Sequence, residues 1–447
     1  MPSREEKLYR CSACGYRSAS WMGRCPSCGA WKSFEEALSE AAEDPIGEGE
    51  IERLSLDGFS PHPSRIATGS AELDRVLGGG LVPGSALLLS GEPGVGKSTL
   101  LLQVADAVAL STGRRAVYAT GEESVHQVGE RAARMGLKNP SVEVIASSKA
   151  EVLLRAAGSG VGLLVVDSVQ TVGSSKLDSP PGTPSQVRAV AELFVRSCKE
   201  RGFPLFLVGH ITKEGLIAGP KALEHLVDVV LQMEGERSGS LRVLRSLKNR
   251  FGPTDELGLF EMTEEGLKPI ENPYEHFVSP GEAPGAAVAS LMEGRRPLFL
   301  EVQALLCQSA FPYPRRVAFG LSSSKLLILL AVLEQSLGLK RLRNMDVYVN
   351  VSGGIRPSDP AIDLAVCASV ISALEGFPLS KGWAFCGEVG LSGEVKRARG
   401  MSSRLKEARR LGFKAVWANS DEADGTLARA RDLRSLANAI RGGGDGR

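Results

Sequence analysis

A phosphate-binding loop at residues 91–98 is the feature that most constrains the fold of this chain. The segment GEPGVGKS fits the pattern G-x-x-x-x-G-K-[ST] at every defined position. It follows an apolar run at residues 86–89 that predicts a buried strand, and it precedes a segment at 99–109 that predicts a helix. Strand, glycine-rich turn and helix in this order are typical of nucleotide triphosphatases.

Each part of this loop has a chemical role. Gly91, Gly94 and Gly96 allow the tight turn in which successive N–H groups point at phosphate oxygens, next to the positive end of the new helix. Lys97 is placed to reach the β and γ phosphates, and the Ser98 hydroxyl suits a magnesium ion, which prefers oxygen ligands. The cofactors predicted are therefore ATP and Mg²⁺, and the predicted nucleotide ligands are Gly91, Glu92, Pro93, Gly94, Val95, Gly96, Lys97, Ser98 and Thr99.

Three acidic residues are candidates for the catalytic chemistry. The apolar run LLVVD predicts a strand that ends at Asp167. The Asp167 carboxylate is a candidate to orient magnesium. Glu122 and Glu123 follow a predicted strand at 115–119, and the carboxyl ends of parallel strands are where ligands bind. Either glutamate is a candidate to activate the attacking water, and the sequence does not choose between them. The alternative is a structural pair opposite a helix dipole.

Three further residues are candidates with open alternatives. His210 ends a predicted strand at 204–209 and either senses the γ phosphate or serves the structure alone. Lys248 and Arg250, in the segment KNRFG, either form a surface salt bridge or supply an arginine finger to the nucleotide of a neighbouring subunit. Their spacing does not decide between these roles.

Two Cys-x-x-Cys pairs near the N-terminus predict a zinc module. Four thiolates at this spacing suit one tetrahedral Zn²⁺, and paired disulfides are the alternative. The ligands predicted are Cys11, Cys14, Cys25 and Cys28. The remaining cysteines lie in apolar segments and are predicted core residues: Cys198, Cys307, Cys367 and Cys386.

The pattern of predicted elements divides the chain into four regions. Strands and helices alternate from about residue 65, which predicts an α/β fold with a mostly parallel sheet and helices on both faces. We expect a zinc module at 1–34, an acidic linker at 35–58, an ATPase domain at 59–270 and a further domain at 271–447. No apolar run reaches membrane-spanning length and the N-terminus is too charged for a secretion signal, so we expect a cytoplasmic protein with no membrane partner.

Together these residues resemble the bacterial RadA (Sms) family of DNA repair proteins. The resemblance covers nearly the whole chain and includes the four-cysteine module, GEPGVGKS, LLVVD, GHITKEG at 209–215 and KNRFG. It implies a RecA-like ATPase core, then a Lon-protease-like α+β domain, in a hexameric ring with nucleotide between subunits. Lys248 and Arg250 would then reach the neighbouring subunit's ATP. The implied activity is ATP-dependent translocation on single-stranded DNA that extends joints made by the RecA recombinase, so single-stranded and branched DNA and RecA are expected partners.

The resemblance also bears on the last domain and on DNA contacts. Ala361 stands where a Lon-type protease has its nucleophilic serine, and Ser402 stands where it has its lysine, so we expect no peptide hydrolysis. Loops at 173–186 and 212–221 are candidate DNA-binding loops by analogy with RecA-like rings. The side chains proposed there are Lys176 and Lys213, which are alternatively solvated lysines. A KaiC-like regulatory ATPase or kinase is the alternative function.

Overall fold

The computed structural model describes residues 8–13, 16–18, 20–37, 64–210, 223–235, 239–354 and 357–442. The chain divides into two compact units, Met1–Pro61 and His62–Arg447, and each is described by itself. Within the described ranges, no helix is long and apolar enough to cross a membrane. The domain boundaries predicted at residues 34, 58 and 270 stay predictions.

The first unit contains a small antiparallel sheet with very little apolar core. Its strands lie in the order β2-β1-β3, and they are β1 (Leu8–Cys11), β2 (Arg17–Ser18) and β3 (Phe34–Ala37). The buried apolar cluster consists of Cys11, Cys25 and Phe34, with Tyr9 and Met22 partly buried against it. A core of this size cannot stabilise a fold alone, so the thiols matter more here than packing does.

A nine-stranded sheet forms the first half of the second unit. Its order is β12-β11-β10-β9-β4-β8-β7-β5-β6, in which β4 to β9 are parallel and β10 to β12 are antiparallel. This confirms the predicted mostly parallel sheet. The strands are β4 (Ala86–Gly91), β5 (Arg115–Thr120), β6 (Val142–Ala146), β7 (Val161–Asp167), β8 (Leu205–His210), β9 (Val229–Gly235), β10 (Leu241–Asn249), β11 (Leu257–Thr263) and β12 (Gly266–Pro269).

Helices cover both faces of this sheet, which explains why its central strands are apolar throughout. Leu87 and Leu89 of β4 belong to one core, whereas Leu88 belongs to the other, because successive strand residues point to opposite faces. The helices of this half are α1 (Ala71–Leu77), α2 (Lys97–Thr112), α3 (Val125–Arg134), α4 (Ala150–Ala157) and α5 (Pro184–Arg201).

A seven-stranded mixed sheet forms the second half of this unit, in the order β15-β16-β14-β13-β17-β20-β21. A separate hairpin, β18–β19, lies beside it. The strands are β13 (Ala286–Glu293), β14 (Arg296–Gln308), β15 (Arg316–Phe319), β16 (Met345–Val351), β17 (Trp383–Cys386), β18 (Glu388–Val389), β19 (Val395–Lys396), β20 (Ala415–Ala418) and β21 (Leu427–Arg429). The helices are α6 (Pro273–Phe277), α7 (Ser323–Leu337), α8 (Asp363–Glu375), α9 (Met401–Arg410) and α10 (Leu433–Arg441).

The prediction that all four later cysteines are core residues is wrong for one of them. Cys198, Cys367 and Cys386 are buried, but Cys307 is exposed. It lies near the end of β14, where the side chains that alternate with the core-facing ones point to solvent. Burial raises the pKa of Cys198 to about 12, so this thiol stays protonated near neutral pH.

A buried ion pair joins the two halves of the second unit. Arg296, at the start of β14, donates to the carboxylate of Glu72 in α1 and to the Leu257 carbonyl, 3.0 Å away. Glu72 also accepts from the Leu259 N–H at 2.8 Å. Both charged side chains are almost fully buried. The pair therefore ties α1 and β11 of the first half to the hairpin of the second.

We expect Arg296→Met to lower the free energy of unfolding of this unit by about 3–5 kcal/mol, because the buried Glu72 carboxylate would lose its buried cation and keep only the longer pair with Arg75, at 3.6 Å. Urea unfolding followed by circular dichroism measures the change. The matched control is Arg295→Met, since Arg295 is exposed and adjacent in sequence. Equal unfolding midpoints for the two variants would show that the ion pair is not needed for stability.

Candidate functional site

The phosphate-binding loop connects β4 to α2 and leaves the start of the helix open. Gly96 is the residue before the helix, with a φ of 113°, and no side chain caps the helix there. This positive φ favours glycine, and a Cβ atom on Gly96 would also lie 2.6 Å from the end of the Met262 side chain, which would have to move. The uncapped N–H groups of the first turn of α2 are thus available for phosphate oxygens.

Lys97 folds back over the loop. Its ammonium donates to the carbonyls of Gly91 and Glu92 at 2.9 and 3.0 Å. Burial lowers the pKa of Lys97, whereas the nearby carboxylates of Asp167 and Glu122 act in the opposite direction. When nucleotide binds, the Lys97 ammonium can exchange these carbonyl acceptors for phosphate oxygens, which are charged and therefore accept stronger hydrogen bonds.

Ser98 and Asp167, the two predicted magnesium ligands, lie in direct contact. The Ser98 hydroxyl lies 2.6 Å from Asp167 Oδ2, although the two residues belong to α2 and β7. The donor set consists only of oxygens, which is the chemistry magnesium requires. The hydroxyl of Tyr118 also donates to Asp167 Oδ2. Burial, followed by the charge of Asp167, raises the pKa of Tyr118, so the phenol remains a donor.

The two glutamates differ in their surroundings. Thr120, at the end of β5, accepts from the N–H groups of both Glu122 and Glu123 and so fixes the turn that holds them. Glu123 forms a two-pronged ion pair with Arg131 of α3, with N–O distances of 2.6 and 2.8 Å. Glu122 is more exposed, 58% against 32%, and lies 3.5 Å from the ring of His210. The turn precedes Ser124, which caps α3.

One open cavity of about 470 Å³ collects most of the predicted site residues. Arg131, Arg134 and Arg242 also line it, although no sequence motif identified them. Arg242, in β10, donates to the Val95 carbonyl of the phosphate loop at 2.9 Å. Gly91, Glu92 and Val95 lie in the same loop but do not line the cavity. The predicted residues that do line it are Pro93, Gly94, Gly96, Lys97, Ser98, Thr99, Glu122, Glu123, Asp167 and His210.

Lys248 and Arg250 lie at the opposite end of the strands from the phosphate-binding loop. β10 is antiparallel to β9, so its last residues lie beside the start of β9, with Lys248 opposite Val230. The Lys248 ammonium donates to the carbonyls of Glu224 and Val227 at 2.6 and 2.8 Å. Arg250 lies 3.1 Å from Asp228 and remains about half exposed. Neither residue lines the nucleotide cavity of its own chain.

The candidate DNA-binding loop after β7 is held in place by buried polar contacts. The side chain of Gln186, which is almost fully buried, bonds to the backbone of Ser174, Leu177 and Ser179. Lys176 is exposed within this loop. The second candidate, Lys213, lies outside the described residues.

Three of the four predicted zinc ligands come together. The sulfur atoms of Cys11, Cys25 and Cys28 lie within 4.8 Å of one another, and those of Cys11 and Cys28 are 3.8 Å apart. A tetrahedral ion with Zn–S bonds of about 2.3 Å requires S–S distances of about 3.8 Å, so this geometry fits zinc. Cys14 lies outside the described residues.

Cys28→Ser is expected to remove stoichiometric zinc and to unfold the first unit, because the small apolar core cannot hold the fold without metal. Zinc released from purified protein, measured with a chromogenic chelator, tests this. The control is Cys307→Ser, an exposed cysteine outside the unit. Full zinc content in the Cys28→Ser protein would exclude Cys28 as a ligand.

The second sheet carries a groove at the position where a Lon-type protease would have its nucleophile. Ala361 lies in a short 3₁₀ turn, Pro360–Ile362, and is buried. Beside it, the fully buried Arg404 of α9 pairs with Asp359. Ser402 is exposed and does not line this groove of about 620 Å³, whereas Ser403 and Arg404 do. No hydroxyl or thiol occupies position 361, so residue 361 cannot act as the nucleophile of an acyl-enzyme.

Three family models match separate segments of the chain. They describe a rubredoxin metal-binding domain at residues 9–36, an AAA domain at 61–215 and the C-terminal proteolytic domain of Lon protease (S16) at 329–432. These matches agree with the thiol cluster, the phosphate loop and the Lon-like groove, respectively.

Curated relatives match almost end to end. The DNA repair protein RadA of Bacillus subtilis is 43% identical over 449 residues, which covers 98% of this chain and 97% of that protein. The RadA proteins of Brucella abortus and Pseudomonas aeruginosa are 42% and 44% identical, over 96% and 92% of this chain and 94% and 92% of their own. The crystal structure of the RadB recombinase aligns at 22% identity and a TM-score of 0.36, over 46% of this chain and 100% of that one.

Proposed function

Since this chain belongs to the RadA family of DNA repair proteins, with a RecA-like ATPase domain, we propose that it is a DNA-dependent motor that translocates on single-stranded DNA and drives branch migration. The observation that carries the ATPase chemistry is the convergence of Lys97, Ser98, Asp167 and the two glutamates on one cavity. We infer that it acts in the cytoplasm, on recombination intermediates made by the RecA recombinase.

The residues of the cavity have complementary roles in hydrolysis. Loop N–H groups and Lys97 bind the phosphates, and Ser98 and Asp167 would hold Mg²⁺. The ion, when bound, would neutralise charge on the phosphates. Glu122 accepts the proton of the attacking water, because Glu123 is already paired with Arg131. His210, next to Glu122, is placed to sense whether the γ phosphate is present.

The site is completed by a neighbouring subunit. Lys248 and Arg250 do not line the cavity of their own chain, and Arg250 remains half exposed at another edge of the sheet. We infer that both residues reach the nucleotide of the next subunit in a hexameric ring. Such a ring surrounds single-stranded DNA, which Lys176 and Lys213 contact through phosphate charge with little sequence preference.

The proposal predicts that single-stranded DNA stimulates ATP hydrolysis. Phosphate release is measured with and without an oligonucleotide, and movement of a RecA-made joint is followed by gel electrophoresis. Lys97→Ala serves as the control, since it is expected to abolish hydrolysis in both conditions. Hydrolysis that is indifferent to DNA, together with autophosphorylation, would instead indicate a KaiC-like regulator. Casein is expected to remain uncleaved, because Ala361 has no nucleophile.

A further inference from the structure

The phenol of Tyr118 contacts Asp167, one of the two predicted magnesium ligands. Its ring is fully buried in the core between α2 and the nine-stranded sheet, with Val165 and Val104 in the same cluster. A phenylalanine would fill this space equally well. The hydroxyl adds a polar group that is costly to bury without a partner, and the partner it finds is the Asp167 carboxylate.

The two oxygens of Asp167 have different environments. Oδ2 accepts from Tyr118 and, at 2.6 Å, from the Ser98 hydroxyl. Across the part of the chain that the structure describes, Oδ1 accepts no hydrogen bond. Two donors therefore fix the rotation of the carboxylate and leave one defined oxygen for the metal or its water.

We propose that Tyr118 is a positioning residue for the magnesium site, which sets Asp167 so that Oδ1 faces the metal and Oδ2 stays bonded to protein. This inference rests on the proposed ATPase function. Ser98 has a double role in the arrangement, since its proton is donated to Asp167 Oδ2 and its lone pairs remain free for Mg²⁺. Magnesium demands near-ideal octahedral geometry, so a ligand that rotates freely binds it poorly. Loss of such an outer partner typically weakens metal affinity by about 10–100-fold.

The test is Tyr118→Phe in the full-length protein, with a fluorescent ADP analogue as the probe so that hydrolysis plays no part. MgCl₂ is titrated, and the concentration that gives half of the magnesium-dependent gain in nucleotide affinity is measured. We expect this concentration to rise by about 10–100-fold. Nucleotide affinity in EDTA is expected to match that of the wild type, because the loop itself is unchanged. Tyr348→Phe removes a hydroxyl in the other sheet and should leave both values unchanged.

Two further variants distinguish an error in the proposed nucleotide site from an error in the role of Tyr118. Asp167→Asn is expected to raise the magnesium requirement, and Tyr118→Phe should add nothing in that background, because its effect acts through Asp167. If Asp167→Asn keeps the wild-type requirement, the proposed nucleotide site itself is wrong. If Asp167→Asn changes it and a folded Tyr118→Phe protein does not, only the role of Tyr118 is wrong. Equal losses of nucleotide affinity with and without magnesium would show that Tyr118 shapes the loop, and would overturn the proposal.

Tyr118→Met repeats the test if the Tyr118→Phe protein unfolds. If neither variant folds, the hydroxyl is needed for the fold and the proposed role at the metal site is wrong.

Discussion

Arg250→Ala is expected to lower ATP hydrolysis by about 10³–10⁵-fold while nucleotide binding persists, which is the size of effect that arginine fingers have in other triphosphatases. The reason is geometric. Arg250 lies away from the cavity that holds Lys97, so it makes no contact with the nucleotide of its own chain. Its removal takes charge stabilisation from the transition state of a neighbouring site and leaves the ground-state phosphate contacts in place. Steady-state phosphate release and equilibrium binding of a fluorescent ATP analogue measure the two effects separately.

The structure supplies a matched control for this experiment. Arg250 pairs with Asp228, whose other oxygen accepts from the Ala86 N–H at 3.1 Å. Asp228→Asn removes the charge partner within the subunit and keeps the arginine. We expect this variant to hydrolyse ATP at nearly the wild-type rate. If it loses as much activity as Arg250→Ala, the ion pair within one chain is what matters, and the intersubunit role is wrong.

Mixing two inactive proteins tests the shared site directly. In a ring assembled from Lys97→Ala and Arg250→Ala chains, some interfaces combine an intact Lys97 from one subunit with an intact Arg250 from the next. Those interfaces should hydrolyse ATP, so activity is expected to return after subunit exchange. A mixture that stays as inactive as its components, under conditions of proven exchange, contradicts a nucleotide site between subunits.

The sequence predicts this site well where its residues follow one another along the chain. The phosphate loop, the strand ending in Asp167 and the turn with Glu122 are local patterns, because strand, turn and helix signals lie within a few residues of the ligands. Parallel strands then bring these patterns to one edge of the sheet. The side chains that sequence analysis missed are supplied from mid-strand or mid-helix positions. Arg131 and Arg242 belong to no motif, yet tertiary packing brings them to the cavity. Tyr118 does not line the cavity and reaches the site only through its hydrogen bond to Asp167.

Charge patterns were less informative because the partners of a charge are set by the fold. Eight basic residues lie between positions 396 and 414, a pattern that fits either the solvated face of a helix or a phosphate-contacting surface, and several of them are already paired. Arg404 is fully buried against Asp359, and Arg397 pairs with Asp421. Arg410 and Lys396 have carboxylate partners as well. Only the pair of Arg410 with Glu407, three residues apart in one helix, follows from helical spacing. The other carboxylates lie outside the element that carries their basic partner, so helical spacing could not have predicted those pairs.

The two adjacent glutamates give the second large prediction, and their different contacts favour Glu122 as the general base. Glu122→Gln is expected to reduce ATP hydrolysis by about 10²–10⁴-fold, the usual contribution of a general base, with little change in nucleotide affinity. Glutamine keeps the shape of the side chain but accepts a proton far less readily. Single-turnover hydrolysis, with excess protein over ATP, isolates this step from product release.

Glu123→Gln is the matched variant, since it makes the same carboxylate-to-amide change in the adjacent side chain. Glu123 is already occupied by the two-pronged pair with Arg131, so its loss should disturb the turn and cost less than about tenfold in rate. A larger loss of rate in Glu123→Gln than in Glu122→Gln would contradict this assignment. It would mean that Arg131 releases Glu123 when ATP binds and that Glu123 activates the water. Adding Arg131→Met separates the cases, because freeing Glu123 should then restore hydrolysis to a Glu122→Gln protein only if Glu123 can reach the water.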